Sequence, residues 1–426
     1  MRWCTFSAGA LQLTLWIALI IVILLTSFII LLSTHRQFNM RSDIQIEVIR
    51  QTDAGFKAAL TSNIPLEDSL TVVLPTSQKL KNHITLYLDY WGVFNRLYGF
   101  SSLKNASFHK TALIGTPKTA NTHALYLENK SNPLVLVGNT IIQGDVFLPF
   151  AGIKAGNISG TSFTGKKPPV GNIKQSGELK PMPKQWIENL LKTQDFLPHI
   201  DNNQYLSYEE GMIAAQSFKS PLKVISSTLT ITLGDCQLFG HIRIQSSSKI
   251  VVTSASILKD VVLVAPEIEI RNNVKGQFQA IASKRIKLGT QVKLAYPSAL
   301  VVHNSKVSNS ISESEDTLNT GIFIDKQSEV VGFVYFQDNH IDNRFQTQLL
   351  LDENSTIVGE VYSYGNMEIK GQVFGQVNST NFISQHKGTK YRNHIFNGRI
   401  RIDKLPITYV GVFFETQNKS VAQWLY

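Results

Sequence analysis

The sequence predicts a mainly β protein. The expected architecture is a parallel β-helix, a three-sided solenoid with right-handed winding favoured, preceded by an N-terminal transmembrane helix and interrupted by a helical insert. Three observations carry this. First, every sixth residue from Ile244 reads Ile244, Ile250, Ser256, Val262, Ile268, Val274, Ala280, Ile286 and Val292, all apolar except Ser256. Only 43% of the chain is hydrophobic, so composition alone does not give such a run. Second, Gly332-Phe-Val-Tyr recurs as Gly359-Glu-Val-Tyr, and Gly359, Gly365 and Gly371 are evenly spaced, as are Val361, Met367 and Val373. A period of six suits neither one helix nor a simple hairpin, but it suits coils with three flat sides of about six residues each. Third, residues 11–32 form an apolar run that contains no charged side chain.

Composition bounds the partners. The 426 residues carry 41 basic and 31 acidic side chains, a formal charge of +10. That favours anionic neighbours. The basic residues are scattered as on a solvated surface, so nucleic acid is not an expected partner. The two cysteines, Cys4 and Cys236, flank the apolar run and are expected to face different compartments, so no disulfide framework is predicted. No cofactor or metal is predicted, because no Cys/His spacing suits zinc.

The elements follow in order. Residues 1–10 form a short stub. Residues 11–33 are long enough to span a bilayer and lack a small-residue cleavage site, so a retained signal-anchor is expected, with membrane lipid as its partner. Arg2 on one side and Arg36 and Arg41 on the other leave the charge rule for orientation nearly balanced. The short stub and the large β-rich remainder favour the N-terminus inside and the bulk outside. Residues 34–130 are read as a helix plus a small β region, with a strand through Ile44, Ile46 and Val48 as the rival. Trp91, Tyr90, Phe94, Tyr98 and Phe100 are expected to fill a core. Residues 131–180 are read as early β coils and a loop.

Residues 181–220 form the helical insert, from Trp186, Leu190 and Leu191 at helical spacing, placed across an open end of the solenoid. An uncovered end exposes unpaired strand edges, so some cap is required. Residues 221–390 are the main solenoid. There Ile250, Ile268 and Ile286 are expected to stack, as are Ile244, Val262 and Ala280. Residues 303–319 are a protruding loop; Glu313, Glu315 and Asp316 lack the ligand spacing of a calcium loop and are read as solvated. Residues 391–426 are read as a cap on the last coil.

Two resemblances follow from these residues. The polar leader with Gly9-Ala10-Leu11 and the long apolar helix after it resemble the N-terminus of minor pilins and pseudopilins, with Thr14 standing where most pilins carry a glutamate. The segments Ile357-Val-Gly359-Glu-Val361, Ile369-Lys-Gly371-Gln-Val373 and Phe374-Gly375-Gln-Val377 resemble the bactofilins, polymer-forming proteins built as triangular β-helices.

No catalytic constellation is found, so the chain is not read as an enzyme. Asp235, Asp260, Glu267 and Glu269 do not repeat at the coil period, and His241 stands alone in a strand. The expected function is a membrane-anchored structural or assembly protein that presents a β-solenoid outside the cytoplasmic membrane, in a pilus-like or secretion apparatus. Protein partners or self-association through the solenoid edges are expected. The alternatives are a polysaccharide-binding or polysaccharide-processing β-helix and a cytoplasmic bactofilin-like filament.

Overall fold

The structure, a computed structural model, describes residues 8–62, 64, 66, 69–74, 82–119, 122–165, 171–196, 201–305, 320–339, 345–412 and 418–426. Cys4, Arg2, and the expected loop from residue 306 on, with Glu313, Glu315 and Asp316, lie outside the described residues. The protein is mainly β, with 51% strand against 19% helix. It divides into two compact units: residues 1–59, 69–87 and 99–110, and residues 60–68, 88–98 and 111–426.

In the first unit the helix α1, Ala8–Thr61, runs for 54 residues without a break. At 1.5 Å per residue that is ~80 Å. No proline interrupts it, and threonines in its apolar part bond back into the helix: Thr14 Oγ1 to Leu11 O at 2.8 Å, and Thr34 Oγ1 to Ile30 O at 2.7 Å. Such bonds let a polar side chain sit in an apolar stretch without an unmet donor. The strand rival through Ile44 to Val48 is overturned, because this stretch is helical. The reason is a stripe at helical spacing, Val48, Thr52, Phe56 and Ala59, all buried. It packs on an antiparallel sheet in which Ser69–Leu74 pairs with Asn82–Trp91 through Thr71↔Thr85 and its neighbours. At the closest approach, a Cβ on Gly99 would stand 2.5 Å from the Phe56 ring. Lys110 Nζ closes the edge on Asp53 Oδ1 at 2.5 Å.

The second unit is built on parallel ladders. In the first ladder Leu238 pairs with Leu258, and the column continues through Gly276, Leu294, Val330, Ile357, Val373 and Ile400 to Ile142. In the second the column is Ile225, Ile244, Leu263, Ala280, Leu300, Val334, Val361, Val377, Leu125, Val146 and Ile173. In the third it is Ile231, Ile250, Ile268, Ile286, Ile322, Leu349, Met367 and Phe382. Nearly all these side chains meet in one continuous apolar core. The expected Ile250–Ile268–Ile286 column is present. The Ile244–Val262–Ala280 column is corrected: Ile244 faces Leu263, and Val262 faces Arg243 and Gln279. The cause is a bulge between Lys259 and Val261, where Asp260 takes a left-handed φ of 64° and shifts the register by one.

The glycine repeat has a steric cause. Ser298, Gly332, Gly359 and Gly375 stack in successive rungs. The three glycines have φ of 149°, 145° and 157°, and a Cβ on any of them would lie within 1.9 Å of the carbonyl oxygen one rung below. Gly365 and Gly371 belong to the same coil as Gly359 and stack on none of these.

Three expected placements change. Residues 125–175 are not the coils that open the stack. They pair beyond its last rungs: Leu125 on Val377, Ile142 on Ile400, and Leu136 on Ile395. The boundary expected at 131 therefore falls inside this element. The first rung is instead Met212–Gln216, Lys223–Ser227 and Ile231–Leu233. The chain must travel back from one end of the stack to the other, and helix α2, Lys184–Gln194, lies on that return along the outer face of the second ladder rather than across an open end. The first rung is met by the Tyr205↔Val224 bridge, with Leu206 and Tyr208 packed on the core.

The C-terminus does not cap the last coil either. Arg399–Arg401 is itself a rung, and the edge beyond it is taken by residues 141–143. Ser420–Leu425 instead pairs antiparallel with residues 111–115, from Ser420↔Gly115 to Leu425↔Thr111.

Candidate functional site

Two surfaces are candidates for function, one in each unit. In the first, α1 residues 11–32 are exposed around the whole helix; Leu11 is 74% exposed and Ile29 63%. The helix is long and apolar enough to cross a membrane. An apolar face this large, left uncovered on all sides, is what a bilayer-spanning segment presents.

In the second unit the outer face of the second ladder carries a second apolar core. Val262, Val264, Ile281, Ala299, Val301, Phe333 and Tyr335 pack against Trp91, Val93, Phe94, Trp186 and Leu190. The strand Asn82–Trp91 turns into the strand Phe94–Leu103, and the tip of this hairpin is fastened by Gln279, whose Oε1 accepts from Val93 N at 2.8 Å while its Nε2 donates to Trp91 O at 2.9 Å. Trp91 Nε1 donates to Asp260 O at 2.9 Å, so the bulge that shifted the register also exposes a carbonyl for this anchor. Trp186 Nε1 donates to Val93 O at 2.9 Å. The buried Arg243 guanidinium donates to Thr193 O and Asp195 O at 2.9 and 2.7 Å, satisfying carbonyls at the C-terminus of α2. Burial lowers its pKa to about 10.

The expected titratable candidates do not converge. Asp235 is exposed, with its backbone oxygen accepting from Gly211 N. The Asp260 carboxylate accepts from Gln277 and Gln423, and burial raises its pKa. Glu267 pairs with Arg285 at 2.9 Å, and Glu269 with Lys249. Cys236 is buried and its thiol is pushed up by that burial. Among the described residues no group of three or more His, Cys, Asp or Glu side chains is placed to hold a metal.

His241 is not isolated. Its ring stacks on Phe218 with centroids 5.1 Å apart and meets Trp91 edge-on at 4.8 Å. Arg96 Nη1 donates to Nε2 at 3.0 Å, which leaves Nδ1 to donate to Ser220 O at 2.9 Å. Arg96 is held in turn by Asp89. Burial first, and the Arg96 charge second, lower the His241 pKa to about 4.

The aromatic group is divided. Trp91 and Phe94 fill the outer core, while Phe100 packs on the His109 ring at 4.5 Å. Gln279, Arg243 and Trp186 were missed as a set. The available signal was the run of consecutive apolar residues in VVLVA, ALVV and GFVYF, which marks strands buried on both faces.

The fold and these surfaces define a mainly β protein with a long N-terminal apolar helix. No family model and no curated protein matches the sequence. Among solved structures, the crystal structure of competence-associated pilin ComZ from Thermus thermophilus is similar at 10% identity with a TM-score of 0.21, over 90% of this chain and 98% of that one.

Proposed function

We propose that this chain is a membrane-anchored structural or assembly protein. Residues 11–33 lie in the cytoplasmic membrane, and the β-rich bulk is presented outside the cytoplasm as part of a pilus-like or secretion apparatus. The ladders form the three walls of a parallel β-helix. From the bactofilin resemblance this reading keeps the triangular winding and leaves aside filament formation.

One observation carries the reading. α1 passes without a break from a bare apolar half to a half packed on a sheet through Val48, Phe56 and Ala59. A continuous helix of this kind joins a bilayer-spanning half to a half packed on protein, and leaves the same helix available to neighbouring copies. The predominance of ladders stabilised by stacked aliphatic columns supports a scaffold over a catalyst.

Removal of residues 1–33 is expected to move the protein from the membrane fraction to the soluble fraction. Retention of the truncated chain on membranes would defeat the anchor. Protease added to spheroplasts is expected to digest the bulk; full protection would place it in the cytoplasm and favour the filament alternative.

A further inference from the structure

Residues 409–412 cross the outer edge of the second ladder and are held there by three side chains. Tyr409 Oη donates to Gly332 O at 2.9 Å. Tyr296 Oη donates to Val410 O at 2.7 Å. Glu360 Oε2 accepts from Val412 N at 3.3 Å, and the Gly411 backbone sits so close to this carboxyl that a Cβ would lie 2.1 Å from Oε1. On its other side the crossing segment pairs with residues 116–117, through Val410↔Pro117 and Gly411↔Thr116. Glu360 is therefore the ionisable member of a clamp that fixes the C-terminal segment to the stack.

We propose that Glu360 is a pH-responsive latch: the clamp is closed while the carboxyl is protonated and loosens as it ionises.

The surroundings carry no compensating charge for a carboxylate. The titratable groups that face it are Tyr362 on its own strand, Tyr296 on the strand Lys293–Asn304 and Tyr409 on the crossing segment, all held above the ordinary phenol range by burial. Its rung neighbours, Phe333 and Gln376, are uncharged. Gln376 is bonded to His123 at 2.7 Å, which places that imidazole one residue removed from Glu360. Among the described residues no cation pairs with the carboxyl. Burial pushes its pKa up to about 7, with the Val412 N–H pulling the other way. In the opened segment the carboxyl returns to the ordinary value near 4.5. The clamp is then at full strength below that value, and weakens as pH rises through the interval up to about 7, above which the loss levels off.

The test is hydrogen exchange on the full-length chain in detergent, corrected for intrinsic rates and normalised to the strand Ile257–Ile270. Protection of residues 409–412 is expected to fall by about 10-fold or more between pH 5 and pH 8. Glu360→Gln keeps an acceptor for Val412 N and is expected to hold the pH 5 protection at both values. Tyr409→Phe is expected to lower protection at both pH values and keep the same pH dependence. Equal protection of the wild type at pH 5 and 8 would overturn the latch. So would a Glu360→Gln variant that still follows pH, or a Tyr409→Phe variant that has lost the dependence.

Discussion

The second and third ladders have nearly the same inner face and opposite outer faces. Inside, one stacks Ile244, Leu263, Leu300, Val334 and Val361, and the other Ile250, Ile268, Ile286, Ile322 and Leu349, all buried. Outside, the second ladder shows Val262, Ile281, Val301 and Phe333, covered by α2 and the hairpin tip. The third shows Glu267, Glu269, Arg285 and Lys287, with the partly exposed ion pairs Lys249–Glu269 and Arg285–Glu267. The inner columns make the stack. The outer residues decide which side of it recruits the rest of the chain. Burying an outer strand face is worth roughly 25 cal/mol per Å² of apolar area, which a solvated ion pair does not approach.

This contrast can be broken in graded ways. The strongest test is Gly359→Ala at the corner leading into the second ladder. The new Cβ would meet Gly332 O at 1.9 Å, backbone against backbone. Loss of the folded state in expression and circular dichroism is expected, and a stable variant would mean the stacked glycines tolerate a side chain.

Next is Trp186→Ala, which removes a ring that is 1% exposed and contacts Tyr335 at 5.0 Å. Denaturant unfolding should show a loss of about 3–5 kcal/mol. Under the same assay Phe323→Ala, on the half-buried outer face of the third ladder, is expected to cost under about 2 kcal/mol. Equal costs would erase the distinction between the faces.

Third is pH. His241 sits neutral in the outer core, with its pKa lowered from 6.5 to about 4. Its contribution is therefore complete above pH 6.5 and is lost as pH falls to about 4, up to ~3 kcal/mol in all. His241→Gln is expected to flatten that part of the stability profile; an unchanged acid slope would assign it to other groups. The smallest effect is expected from Glu269→Ala on the third ladder, within about 1 kcal/mol by denaturant midpoint, since Lys249 and Arg271 lose only a partly exposed partner.

The third ladder was the legible one. Ile250, Ile268 and Ile286 repeat at a fixed interval, because the register shift at Lys259/Val261 is reversed by an opposite one at Ala265/Glu267 before Ile268 is reached. The second ladder was misread by one position. Its register depends on Asp260 in a left-handed conformation, a backbone property that an aspartate permits without announcing. The long helix was legible up to residue 33 from hydropathy alone. Beyond it a helix was the first reading and a strand its rival, since Ile44, Ile46 and Val48 alternate as a strand would; what the sequence did not show is that the helix runs on unbroken to Thr61, because the stripe from Val48 to Ala59 begins further on.

The outer-core contacts were the least legible. Gln279 to Trp91 and Val93, and Arg243 to Thr193 and Asp195, join segments that stand 50 to 190 residues apart in rough terms, and no local pattern encodes such a pairing. The ends of the stack were misassigned for a related reason. Sequence order suggested that residues 125–175 come first, whereas strand pairing puts them last.

That inversion governs how the molecule comes into being. The segment that seals the far end leaves the ribosome early, yet the edge it must join, on Val377, Ile395 and Ile400, is among the last parts to be made. The early piece has to wait with its apolar strands unsatisfied, or be sheltered, until the late edge arrives. A chain cut short before residue 400 therefore lacks both the strand Arg399–Arg401 and the seat it gives to residues 141–143, a segment already synthesised.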